Sequence, residues 1–304
     1  MFLIIYLITS LSSSFATSQR YNQAPNYKSK EFDTKLLSLH TLDPSDSFKK
    51  RPVFITVHGF GASPIEWQDF SEYITTHTEA LVSNVSLGGH DSVKAFSESC
   101  WEDWLSPLCT EYQRLVNLGF ESIYLCGCST GATLIIQGLL NNCFRPALPL
   151  KHIFLVDALV IPKEPLLYWL PVINYILYDQ WLYLSSEEAP YWLPIRPKKA
   201  LLQLLQLIKK TTYDLKQGIS FASHINMSLF QSQDDPVIHP KSKEMLYHGL
   251  SALTSRSVHC FDIESDFHVF TRLSKRSSIN PKDIDNQTIF FNHVQDVIKT
   301  TTSA

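Results

Sequence analysis

The chain has 304 residues, of which 44% are hydrophobic, 12% aromatic and 18% charged. That is material for one large α/β domain with an inserted subdomain rather than for two independent domains. A formal net charge of -3 supplies no basic field to neutralise a phosphate backbone, which excludes nucleic acid as an expected partner.

In chain order, residues 1–16, MFLIIYLITSLSSSFA, set a short apolar run before a Ser-rich stretch, with Ser14 and Ala16 at the spacing of a signal-peptidase site. The expectation is an export signal and a periplasmic or secreted location. No Lys or Arg precedes the run, which keeps a cytoplasmic location as the alternative. The run is far shorter than the ~20 residues of a spanning helix. Residues 17–31 are polar and aperiodic and read as a tether, so the folded body is expected over 32–304.

Within the body, β-like runs fall at 52–59, 79–87, 122–129, 152–160, 225–232 and 258–265. Most are continuously apolar rather than alternating, the pattern of strands buried on both faces of a mostly parallel central sheet. Helical spacing of apolar residues fills the gaps at 66–77, 102–118, 132–140, 241–250 and 284–299. The fold class is therefore α/β, with helices flanking the sheet. The alternation breaks at about 161–217, which lacks an obvious strand and holds Tyr168, Trp169, Tyr175, Tyr178, Trp181, Tyr183, Tyr191 and Trp192. This stretch reads as an inserted helical cap at the edge of the sheet. Cysteines stand at 100, 109, 126, 128, 143 and 260, without zinc-site spacing. In an exported chain Cys100 and Cys109 are the pair that suggests itself, although a domain of this size needs no staple and buried free thiols are the simpler expectation.

The chemistry concentrates at three places. Gly127-Cys128-Ser129-Thr130-Gly131 follows an apolar strand and opens a helical run, the context of a G-x-S-x-G nucleophile elbow. A serine on so sharp a turn presents its hydroxyl above the sheet, and side chains at the flanking glycines would strike the adjoining strand and helix. His58-Gly59-Phe60-Gly61 ends the first strand, where a loop of small residues lets backbone N–H groups close on a developing oxyanion. The donors expected there are the N–H groups of Phe60 and Thr130. No nucleotide, flavin or metal signature accompanies these motifs, so neither cofactor nor metal is expected.

The sequence resembles the bacterial carboxylesterase and monoacylglycerol-lipase-like branch of the α/β-hydrolase superfamily. The resemblance rests on HGFGASPIEW at 58–67, LGGHD at 87–91, GCSTGA at 127–132, DDPVIHP at 234–240 and SDFHVF at 265–270, in that order, and covers roughly residues 50–300. LGGHD departs from the family's usual Pro-Gly-His-Gly turn. The resemblance implies the α/β-hydrolase fold and a triad of Ser129, Asp235 and His268, since the family's acid stands directly before an x-Val pair, here Pro236-Val237. Asp234 and Asp157 remain the alternative acids. In that triad His268 takes the Ser129 proton and returns it to the leaving alcohol, and Asp235 fixes the imidazole tautomer.

The resemblance also places the insertion over the nucleophile, where its rings would bury an apolar acyl chain. Trp181 and Trp192 are the rings expected to bind substrate. The expected partner is a small lipid-like ester such as a monoacylglycerol or lysophospholipid, reached through transient membrane contact. An acyltransferase or thioesterase with the same triad, and a silent binding protein on the same scaffold, are the competing readings.

Overall fold

A computed structural model describes residues 45–173, 179–181, 190–251, 258–274, 276 and 278–302. The expected export signal and tether lie outside the described residues, as do several rings of the insertion. A short helix, α1 (Asp46–Lys49), leads into β1 (Val53–Val57), a 3-10 turn over Pro64–Trp67 and α2 (Gln68–His77). Then follow β2 (Leu81–Val85), α3 (Val93–Glu98), α4 (Trp101–Asn117), β3 (Ile123–Cys128), α5 (Thr130–Leu140) and β4 (Leu150–Val156). A 3-10 turn at Pro165–Trp169, α6 (Leu170–Ile173), β5 (Gln180–Trp181), β6 (Ile195–Arg196) and α7 (Lys198–Gln217) come next. The chain closes with β7 (Asn226–Ser232), α8 (Lys241–Ser251), β8 (Val258–Ile263) and α9 (Pro281–Thr302).

Six strands form one parallel sheet in the order β2-β1-β3-β4-β7-β8. Successive side chains of a strand point to opposite faces, and here both faces are covered. Val53, Ile55 and Val57 of β1, with Ile123 and Leu125 of β3, join Trp104, Leu108 and Leu134 from α4 and α5. Phe54, Tyr124 and Phe154 point the other way, into Phe70, Ile74, Phe290 and Val294 of α2 and α9. This two-sided burial is why the strands read as unbroken apolar runs, and it makes the molecule a three-layer sandwich.

The expected strand over 152–160 stops at Val156. Asp157 turns the chain with φ 44°, and Ala158, Leu159 and Val160 stay buried in the loop beyond the carboxyl end of β4. The insertion also differs from an all-helical cap. Gln180 pairs with Arg196 and Trp181 with Ile195 in a short antiparallel ladder, two residues per strand being too few to leave a periodic signal. Its last element, α7, buries Leu204, Leu207, Ile208 and Leu215 in the main core, and Gln137 of α5 donates to Thr211 and Asp214 on it. This helix is therefore both the crossover to β7 and a support for the segment before it. Among the described residues, no helix is long and apolar enough to cross a membrane.

The cysteine pairing also differs from the sequence reading. Cys109 is bonded to Cys143, with Cα atoms 5.0 Å apart, whereas Cys100 caps the start of α4 and its thiol lies against Asp103. Nine residues of helix rise about 13 Å, beyond the Cα separation of about 7 Å that a disulfide tolerates. Cys100 and Cys109 therefore cannot meet. Cys126 and Cys128 are buried free thiols, as expected of core cysteines.

Three histidines are buried in this core: His58 and His90, packed edge to face, and His152 on β4, stacked on Phe154. Burial lowers His58 to a pKa of about 3, with the neighbouring His90 adding to the effect. It likewise lowers His90 to about 4 and His152 to about 3. Below about pH 6.5 the unfolded chain binds three protons that the native state refuses, so stability falls as pH falls. Each site removes about 1.4 kcal/mol per pH unit. Asp157, whose pKa burial raises above the usual carboxylate range, holds a proton in the native state that the unfolded carboxyl releases and so offsets one of the three, leaving a net loss of about 3 kcal/mol per unit around pH 5. Urea unfolding followed across this range is expected to show that loss, and a flat profile down to pH 4 would contradict the burial of these rings.

Candidate active site

The end of β3 is the sharpest feature of the sheet. Ser129 sits there with φ 50° and ψ −122°, and the chain enters α5 at the next residue. A Cβ at residue 127 would lie 2.6 Å from Ile135 Cδ1 and 2.8 Å from the Ala132 backbone, and one at residue 131 would lie 2.3 Å from the Val57 carbonyl oxygen. Neither position tolerates a side chain, which is the physical content of the G-x-S-x-G spacing.

Ser129, Asp235 and His268 are brought together at the carboxyl ends of β3, β7 and β8. The Ser129 hydroxyl donates to His268 Nε2 at 2.9 Å. His268 Nδ1–H donates to Asp235 Oδ2 at 2.8 Å. The other carboxylate oxygen of Asp235, Oδ1, accepts the N–H groups of Val237 (2.6 Å) and Ile238 (2.9 Å). A carboxylate in this setting only accepts, so the ring proton is held on Nδ1 and the Nε2 lone pair faces the serine. Burial pulls the His268 pKa down, but the Asp235 hydrogen bond and charge outweigh it, with Asp157 and Glu66 adding, so the ring titrates above its ordinary 6.5.

The two alternative acids lie elsewhere. Asp234 is exposed, and its backbone N–H is tied to the Ser265 carbonyl. Asp157 is buried beside the triad but is not bonded to the ring. It accepts the N–H (2.6 Å) and hydroxyl (3.1 Å) of Ser232 and the N–H of Val269 (3.0 Å). Burial, and then the neighbouring Asp235 charge, raise its pKa above the usual carboxylate range.

Val269 follows the histidine with φ 58°, so Ser129, Asp157 and Val269 are three non-glycine residues in the left-handed region, all at this site. Such residues cost about 1–3 kcal/mol each and persist where their surroundings over-determine them. Asp157 supplies part of that constraint. Arg276 supplies more, donating to the carbonyls of His268 (2.7 Å) and Val269 (3.2 Å) while its guanidinium lies over Phe267.

On the other side of Ser129 runs the loop after β1. Neither Phe60 N–H nor Thr130 N–H donates to another group among the described residues, which leaves both expected oxyanion donors available. The Phe60 ring packs on Phe96 and Trp104. Glu66, which the sequence reading passed over, is buried behind the loop and accepts Gly59 N–H at 2.6 Å and the Cys128 thiol at 3.1 Å. His58 closes the loop from beneath: its Nδ1–H donates to the Gly59 carbonyl and its Nε2 accepts Leu87 N–H. Neither role has a local signal in the sequence beyond these residues' place in the run at 58–67.

Ser129 and His268 border a cavity of about 620 Å³. Its apolar walls come largely from the insertion: Leu166, Leu167, Leu170, Trp192, Leu201 and Leu204. Trp192 is thus at the cavity, stacked beneath the Arg272 guanidinium and packed on Ala62 and Ile65. The Trp181 side chain lies outside the described residues. Among the described residues, Asp157, Asp235 and His268 are the one group with metal-type donors in mutual reach. Their oxygens already accept N–H and O–H donors, so the set is committed to its hydrogen-bond network.

No family model matches the sequence, and no curated protein matches it. Solved structures do. A metagenome-derived lipolytic enzyme is similar with a TM-score of 0.63 at 18% identity, over 82% of this chain and 94% of that one. A soluble variant of monoglyceride lipase from Saccharomyces cerevisiae follows with 0.61 at 14% identity, over 85% and 89%. Alpha/beta hydrolase domain-containing protein 10 from mouse gives 0.54 at 13% identity, over 83% and 91%. At these identities the likeness shows the fold, and the fold of this chain is the α/β-hydrolase fold.

Proposed function

We propose that this α/β-hydrolase-fold chain is a serine hydrolase cleaving carboxylic esters with an apolar acyl chain, through an acyl-enzyme on Ser129. The observation that carries the reading is the unbroken Asp235–His268–Ser129 hydrogen-bond chain ending in an apolar-walled cavity. Ser129 Oγ attacks the ester carbonyl as its proton passes to His268 Nε2, and Asp235 steadies the imidazolium through Nδ1–H. The oxyanion of the tetrahedral intermediate is held by the N–H groups of Phe60 and Thr130. Collapse breaks the ester C–O bond, and the leaving alcohol takes the proton from Nε2. Water then repeats the sequence on the acyl-enzyme, releasing the acid and restoring Ser129.

The leucines and Trp192 support an acyl chain better than a sugar or peptide, since apolar burial is worth about 25 cal/mol per Å². Tyr168, Trp169 and Val172 are exposed on the same segment, which suits brief contact with a lipid surface that supplies such esters. The test is kcat/KM on p-nitrophenyl esters of increasing chain length. A rise from butyrate to decanoate is expected, and absence of turnover on every chain length would reject the reading.

The cavity wall gives a sharper expectation. Trp192→Ala should lower kcat/KM on decanoate more than on butyrate, by about 5- to 30-fold, the equivalent of about 1–2 kcal/mol of lost ring contact. Leu166→Ala, at a half-buried position without a core role, should shift the same ratio by less. Equal losses on both esters, with lowered melting, would show that Trp192 only anchors the segment.

A further inference from the structure

We infer that the substrate carries an oxyanion group, a carboxylate or a phosphate, bound by Arg196 in the cavity that Ser129 borders. The inference rests on the reading of Ser129 as an ester-cleaving nucleophile and adds the chemistry of a second substrate group. Arg196 is the last residue of β6 and borders the cavity together with the leucine wall. Its Nε is fully buried with no hydrogen-bond partner, and among the described residues no carboxylate pairs with its guanidinium. Burial also depresses its proton affinity, though a guanidinium stays charged throughout the physiological range.

The other charges around the cavity, the exposed Asp266 apart, are already engaged. Arg272 lies over the Trp192 ring, and Arg276 is held by the carbonyls of Arg272, His268 and Val269. Glu66 takes the Gly59 N–H, Glu164 takes the Leu166 N–H, and Asp266 is exposed. Arg196 is half-buried with its Nε fully out of water; with no counter-charge among the described residues this is unfavourable, and an apolar side chain of similar volume would serve the wall better. An anion arriving with the substrate would compensate Arg196 and be matched by its planar fork of donors, which suits two oxygens of one carboxylate or phosphate. The cavity then has two recognition elements, leucines for the chain and a cation for the charged end.

Two ester pairs test this with the full chain. The first is 4-nitrophenyl hexanoate against 4-nitrophenyl hydrogen adipate, with the anion on the acyl side. The second is 1-decanoylglycerol against its 3-phosphate, with the anion on the alcohol side. In at least one pair, Arg196→Gln should lower the anionic-to-neutral kcat/KM ratio about ten-fold or more, mainly through KM, and Arg196→Lys should restore part of it. The pair that responds identifies the side bearing the charge. Ratios unchanged within about two-fold in both pairs would overturn the inference.

If no ester is cleaved and Ser129 resists labelling, the serine-hydrolase reading fails and calorimetry decides the anion site on its own. Wild type should bind decanoate about ten-fold or more tightly than decanol and lose that preference in Arg196→Gln. Should the variants fail to fold, equal affinity of wild type for decanoate and decanol would by itself overturn the proposal.

Discussion

Replacing Ser129 by alanine is expected to lower kcat/KM for ester hydrolysis by about four to six orders of magnitude, the loss typical of removing a triad nucleophile. The fold should survive. The substitution keeps Cβ and removes one hydroxyl whose described hydrogen bond is to His268, and the turn is over-determined by Gly127 and Gly131 against Ile135, Ala132 and the β1 carbonyls. Melting should therefore shift by only a few degrees, the equivalent of about 1 kcal/mol. Near-normal turnover in Ser129→Ala would place the nucleophile elsewhere. Lost turnover together with lost melting would report a collapsed elbow instead, and circular dichroism separates the two.

Asp235→Asn is expected to lower kcat by about 10⁴-fold, because an amide facing Nδ1 permits the tautomer that carries its proton on Nε2 and cannot take one from Ser129. Asp234→Asn, at an exposed position, should stay within about two-fold. The pH profile gives a second readout. Turnover needs neutral imidazole, so wild-type rate falls as pH drops through the raised His268 pKa, and that acid limb lies above 6.5. Removing the Asp235 charge and hydrogen bond takes away the largest upward influence, so the limb should move to lower pH in Asp235→Asn. Asp157→Asn should act differently: loosening Val269 and Ser232 costs stability and some kcat but leaves His268 its hydrogen-bonded partner. If Asp157→Asn instead shows the greater loss in kcat and the limb stays fixed in Asp235→Asn, Asp157 is the acid.

Much of this was legible because buried parallel strands advertise themselves. Six β-like runs became the six strands of one sheet, five of them largely buried and the sixth, β8, an edge strand with exposed positions, and the glycines around Ser129 marked a turn that steric contact requires. The chemistry-bearing turns were legible for the same reason, since each follows a strand directly.

What stayed hidden depends on long-range geometry. Cys143 as the partner of Cys109 follows from the packing of α4 against the end of α5 and has no local signal. The loop from Ala158 to Val160 is as apolar as a strand because it is buried near the cavity, so the run over 152–160 overstates β4. The left-handed backbone at Asp157 and Val269 could not be read from an aspartate or a valine, which rarely adopt it. Glu66 and Arg196 drew no notice because an isolated charged residue acquires its meaning only from what surrounds it.

Labelling with a fluorophosphonate, followed by intact mass and peptide mapping, tests the central claim most directly. One equivalent of the phosphonyl group should appear on the peptide bearing Ser129, be absent in Ser129→Ala, and form far more slowly in His268→Ala. Hydrolysis that persists without any adduct, or an adduct on a different serine, would contradict the account.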